Sequence, residues 1–171
     1  MKKCWILLIG LLFLSGCGGK QPLETVADEL LIPVLAPQRE LILSLPEDAA
    51  EQVLSVEESR RLYFCDGYSL SVQIFEGGDL ERTVQNLCGY GTDKLTGMAT
   101  RHQGTKRYDW AWTSASEEGA RVGRAAVLDD GSYHYCVSVM AQETMSGQLG
   151  EPWERIFASL SLSGGVDDQS S

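Results

Sequence analysis

The sequence predicts an α+β fold, an antiparallel sheet of about six or seven strands with two helices packed on it. Two observations carry this. Between residues 39 and 163 the apolar residues mostly recur with period two, and only two segments change to period 3.6. The turns between these segments are also written in the chain, as Asp-Gly pairs and a helix-stopping glycine. This stretch is long enough for one core that buries about two thirds of its unfolded surface.

Leu41, Leu43 and Leu45 alternate before Pro46 and predict a first strand. Leu62 and Phe64 lead into Asp66-Gly67, a two-residue hairpin turn, and Leu70, Val72 and Ile74 alternate on the return strand. Asp79 is a suitable N-cap for a helix over Leu80 to Cys88. There Leu80, Val84, Leu87 and Cys88 form one stripe and Gly89 stands at the C′ position. Met98 to Arg101 reads as a short strand. Tyr108, Trp110 and Trp112 share one face of the next strand, and Tyr133 and Tyr135 are expected to extend that aromatic face. Val122 to Leu128, the turn Asp129-Asp130-Gly131 and Tyr133 to Ala141 make a second hairpin. Pro152 suits the first turn of a second helix, in which Trp153, Ile156, Phe157 and Leu160 fall at i, i+3, i+4 and i+7. A final short strand is expected near Ser159 to Leu162.

The N-terminus has a different composition. Lys2 and Lys3 precede the apolar run Trp5 to Leu14, and small residues follow before Cys17. This is the layout of an export signal. Ten helical residues span roughly 15 Å, about half of the ~30 Å hydrocarbon core, so a spanning helix is the poorer reading. Leu14-Ser15-Gly16-Cys17 resembles a bacterial lipobox. The resemblance implies removal of residues 1–16 and a diacylglycerol (palmitate-type) thioether on Cys17, with the body held at the extracytoplasmic face of the cell membrane. Two acyl chains make a stable anchor where one is marginal.

The expected domains are thus a leader at 1–16, a lipidated tether at 17–38, one α+β domain at 39–163 and a polar tail at 164–171. Within the tether, Leu30 to Leu35 is apolar and reads as a segment docking at an edge, because Pro33 forbids a central strand. The whole chain has 14 Lys+Arg against 24 Asp+Glu, a net charge of −10. Loss of Lys2 and Lys3 leaves 12 basic residues against the same 24 acidic ones, a charge of −12. Nucleic-acid binding is excluded on this charge, and the body is repelled by anionic headgroups.

Candidate chemistry is sparse. Without Cys4 and an acylated Cys17, three cysteines remain, Cys65, Cys88 and Cys136. Export permits disulfides. A Cys65–Cys88 bond would close a loop of about 22 residues, worth on the order of 3 kcal/mol. The alternative is three reduced thiols behaving as small hydrophobes. His134 and Cys136 stand two apart on one strand, about 7 Å, too far for a catalytic pair, and His134 reads as a solvated or edge histidine. Asp129-Asp130-Gly131 is explained by a turn and lacks the alternating carboxylates of a calcium loop. No metal ligand set, cofactor motif or catalytic residue emerges. The stretch Arg124 to Ala141 (RAAVLDDGSYHYCVSVMA), followed by a helix and Phe157-Ala-Ser-Leu-Ser-Leu, is similar to the end of PsbP-like domains. That resemblance spans the last 60 residues or so, and nothing before residue 100 matches comparably. It implies an α/β/α sandwich and a membrane-associated accessory protein without inherited catalytic residues.

The sequence therefore leads to a non-enzymatic, lipid-anchored envelope protein that binds or supports another envelope protein. An alternative is a small-ligand or glycan-binding module that stacks its ligand on Tyr108, Trp110 and Trp112.

Overall fold

The computed structural model describes residues 36–52, 60–102, 105–117 and 119–164. The leader, the lipobox with Cys17, the Leu30–Leu35 segment and most of the tail lie outside the described residues. The chain forms β1 (Leu41–Ile42), β2 (Ala50–Gln52), β3 (Arg60–Cys65), β4 (Tyr68–Glu76), α1 (Leu80–Cys88), β5 (Thr96–His102), β6 (Thr105–Ser116), β7 (Gly119–Asp129), β8 (Tyr133–Gln142), α2 (Ser146–Ser159) and β9 (Ser161–Leu162). Seven strands build one antiparallel sheet in the order β2-β3-β4-β8-β7-β6-β5, and β1 pairs with β9 in a separate two-stranded sheet. This is the predicted α+β class, with one helix on each face.

Both predicted hairpins form. Cys65 faces Tyr68 across Asp66-Gly67, and Asp129 faces His134 across the second turn. The strands around that turn are longer than the apolar pattern indicates, because ladder bonding carries them past their last core residue. Helix α1 has the predicted ends. Asp79 accepts the Arg82 N–H at 2.9 Å, and Gly89 takes a left-handed φ of 78° while its N–H bonds to the Gln85 carbonyl.

Two expectations need correction, and one strand had no sequence signal. Helix α2 begins at Ser146, so Pro152 lies inside it and not in its first turn. Leu149 extends the apolar stripe of Trp153, Ile156 and Phe157 back by one turn, and burying all four outweighs the hydrogen bond that proline removes. The short strand β2 was not legible, since Ala50-Glu51-Gln52 is exposed throughout and is defined only by its pairing with β3. The aromatics do not form one face. Register places Tyr108 beside Val127 and Val127 beside Cys136, so Tyr135 falls on the opposite side of the sheet.

Each face accordingly has its own core. Tyr63, Leu70, Leu128, Tyr135, Val137 and Val139 pack under α2 with Trp153, Ile156 and Phe157. Tyr108, Trp110, Trp112, Val127 and Cys136 pack under α1 with Leu80, Val84 and Leu87. Arg107 binds Asp109 with two bonds of 2.7 and 2.9 Å and reaches the Phe157 carbonyl at 3.0 Å, which ties β6 to the end of α2. Arg124 lies 4.5 Å over the Phe157 ring.

Opposite Trp112 on β7 stands Gly123, and the indole lies against its backbone. A Cβ at Gly123 would come within 2.4 Å of Trp112 Cζ2. Gly123→Ala should therefore overpack the α1 side and lower stability by about 1–3 kcal/mol, read as a lower denaturant midpoint with an unchanged slope. Wild-type stability in that variant would show that the indole has room to move.

Candidate functional site

The proposed stacking residues are the first to locate. Tyr108, Trp110 and Trp112 do share a face, as their alternation predicts, but they are only 2%, 3% and 8% exposed. Helix α1 covers them through Leu80, Val84 and Leu87. They are core and present no open surface to a ring-shaped ligand. Trp153 and Phe157 of α2 cover the opposite face of the sheet.

The three cysteines are free thiols, and the Cys65–Cys88 bond does not form. The reason is topological. Cys65 packs against the α2-side core and Cys88 against the α1-side core, so the sheet separates them. Burial raises all three thiol pKa values, most of all for Cys136, which is fully buried. A thiol nucleophile needs the opposite shift.

His134 departs from the expectation of a solvated histidine. It is 2% exposed, on the α1 side of β8. Its Nδ1 is hydrogen-bonded to Thr83 Oγ1 of α1 at 2.8 Å, and its Nε2 lies 3.9 Å from Asp129 Oδ1. Asp129 in turn lies 3.9 Å from Lys106 Nζ, and both residues are buried. Burial holds the His134 pKa below its ordinary value. The carboxylates of Asp129, Asp130 and Asp79 oppose this, and the Lys106 ammonium reinforces it. The turn itself uses its carboxylates internally. Asp129 accepts the Gly131 N–H, and Asp130 accepts the Ser132 and Tyr133 N–H groups and the Tyr135 hydroxyl.

The same turn receives the incoming chain, a feature that sequence reasoning missed. The Ala36 N–H donates to Ser132 Oγ at 2.9 Å, and the Arg39 N–H donates to the Tyr135 hydroxyl at 2.8 Å. Burial pushes the Tyr135 hydroxyl pKa up to about 12, opposed by that Arg39 N–H and reinforced by Asp130. The Arg39 guanidinium donates to the Ser163 and Leu162 carbonyls and to Thr105 Oγ1. No local pattern announces these contacts, since their partners lie 66 to 124 positions away in the chain. Beyond Arg39 the chain runs over the α2 side of the sheet and leaves a groove of about 640 Å³ between itself and β3–β4.

Two outcomes follow from the buried groups. Because folding depresses the His134 pKa, the unfolded state binds its proton first, so the His134 contribution to stability is complete above about pH 6.5 and is lost as pH falls below it. Denaturant titrations at pH 7.5, 6.5 and 5.5 should show that loss, and His134→Gln should flatten it; an equal slope in the variant would remove His134 as its source. In native protein at pH 8, Cys136 should resist a thiol reagent while Cys65 and Cys88 react slowly, and all three should react at once in denaturant. A mass deficit of two hydrogens that reduction abolishes would overturn the free-thiol assignment.

No protein-family model matches the sequence, and no curated protein matches it. Solved structures do. A protein from Bacteroides thetaiotaomicron superposes with a TM-score of 0.50 at 12% identity over 72% of this chain and 45% of the other, so the chain spans less than half of that protein. The Ran-binding protein Mog1p of Saccharomyces cerevisiae gives a TM-score of 0.49 at 12% identity, covering 73% of this chain and 95% of that one. CyanoP, the cyanobacterial PsbP of Synechocystis, gives 0.54 at 13% identity, covering 83% of this chain and 99% of its own. With a seven-stranded antiparallel sheet, a helix on each face and CyanoP matched over almost its whole length, the chain has a PsbP-like α+β fold.

Proposed function

We propose that the chain is a lipoprotein anchored by diacylglycerol on Cys17 at the extracytoplasmic face of the cell membrane. Its PsbP-like body is a non-catalytic accessory domain that binds another envelope protein. The observation that carries this reading is the sequence Leu14-Ser15-Gly16-Cys17 placed directly after a charged and then apolar leader. The body's chemistry supports it. The thiols are held protonated by burial, and His134 is enclosed between α1 and the sheet, where it bonds to Thr83. The polar groups that a sequence reader would suspect of chemistry are engaged in holding the fold together.

The exported chain's net charge of −12 after processing fits a protein that stands off an anionic surface and is kept near it by the anchor. Among the described residues, the incoming chain is bonded to the Ser132–Tyr135 region, which fixes where it leaves the body.

Cys17→Ala should move the protein from the detergent-rich to the aqueous phase, or stall it as the unprocessed form about 16 residues longer. Incorporation of a labelled palmitate analogue should disappear in the same variant. Unchanged partitioning and unchanged labelling would refute the lipoprotein reading.

A further inference from the structure

The groove on the α2 side has an apolar floor and an apolar wall with no described cover. Tyr63 of β3 and Val72 and Ile74 of β4 form the floor, and Leu41 and Leu43 of the incoming chain line the wall. Val72, Ile74, Leu41 and Leu43 are each only half-buried. Helix α2 packs over β7 and β8 and leaves this part of the sheet to other material. The groove follows β4 from Val72, which faces Arg61, to Glu76, which faces Tyr133. Four residues of strand make that length roughly 13 Å.

We propose that this groove is the docking site for the chain's own segment Leu30-Leu31-Ile32-Pro33-Val34-Leu35. Continuity is the first argument. The described chain begins at Ala36, which is bonded to Ser132 next to the groove residue Tyr133, and Gln38 and Arg39 line the groove as well. The described chain therefore enters beside the mouth of the groove. Length is the second. Six extended residues span roughly 20 Å, enough to run the whole way from Tyr133 past Val72. Charge is the third. Asp28 and Glu29 precede the apolar run, and a segment laid back along the groove brings them to Arg61, which is exposed at its far end. Pro33, which lacks an N–H, suits a segment held by side-chain packing at the margin of a sheet.

Docking sets the reach of the tether. With residues 30–35 in the groove, the free chain from Cys17 to Glu29 spans at most about 45 Å; released, the chain from Cys17 to Leu35 spans at most about 65 Å. A partner segment that competed for the groove would raise the body by roughly 20 Å without altering the anchor. The inference rests on the groove and not on acylation, so it stands or falls apart from the lipoprotein reading.

Hydrogen exchange on the full exported chain tests it. The amides of residues 30, 31, 32, 34 and 35 should exchange at least about tenfold more slowly than in a free peptide of the same sequence. Leu31→Asp with Val34→Asp should return them to the peptide rate and loosen the Tyr63 and Ile74 regions, while β8 and α2 stay protected. Ile74→Glu should release the segment from the other side, and the segment variant, which leaves the described core untouched, decides the matter if that groove variant unfolds. Peptide-rate exchange in the parent protein would overturn the proposal. So would protection that disappears as dimers dissociate on dilution, which would place a second copy in the groove.

Discussion

The register between β7 and β8 is the constraint on which the other features depend. These two strands lie at the centre of the sheet and are buried on both faces over Ala125–Leu128 and Tyr135–Val137. Because side chains alternate, a slip of one residue would exchange Tyr135 and Val137 with His134 and Cys136, placing an imidazole under α2 and a phenol under α1. The turn at Asp129-Asp130-Gly131 prevents this. Its two carboxylates accept backbone N–H groups within the turn, and so the pairing of Asp129 with His134 is fixed where the hairpin begins. Once that register is set, the α1 side has a polar anchor in Thr83–His134 and the α2 side has a flat apolar surface for Trp153, Ile156 and Phe157.

The same turn is also a junction. Asp130 reaches the Tyr135 hydroxyl, the hydroxyl accepts the Arg39 N–H, and Ser132 accepts that of Ala36, so the incoming chain is bonded to the most firmly specified part of the sheet. Arg39 then extends the junction to the last residues of the body through two carbonyls. A part-buried hydrogen-bond network of this kind adds little net stability compared with apolar packing, but it fixes one arrangement among several that packing alone would tolerate.

Much of this was legible in the chain, and the limits have physical causes. Helix α1 was readable because its cap, stripe and terminal glycine are all local. The hairpins were readable because their turns require particular residues. The start of α2 was misread because proline's local preference for a first turn was overridden by the burial of Leu149, a tertiary effect. The partition of the aromatics between two faces depends on register across three strands, which no window of sequence contains. His134 seemed a surface residue because it follows a turn; what encloses it is α1, 51 positions earlier. Of the candidate site, sequence supplied the proposed anchor Cys17 and the apolar segment 30–35, while the groove and the Arg39 contacts exist only through the fold.

The pairing of Leu41–Ile42 with Ser161–Leu162 has a consequence for the order of events in synthesis. A chain made from its N-terminus presents Leu41 and Ile42 early, yet their partner strand is almost the last part to appear. Arg39 likewise waits for the Leu162 and Ser163 carbonyls. Until then this end of the groove wall is held by the bonds of Ala36 and Arg39 to Ser132 and Tyr135 and lacks its β9 partners. This latch therefore closes only when the last residues of the body have been made.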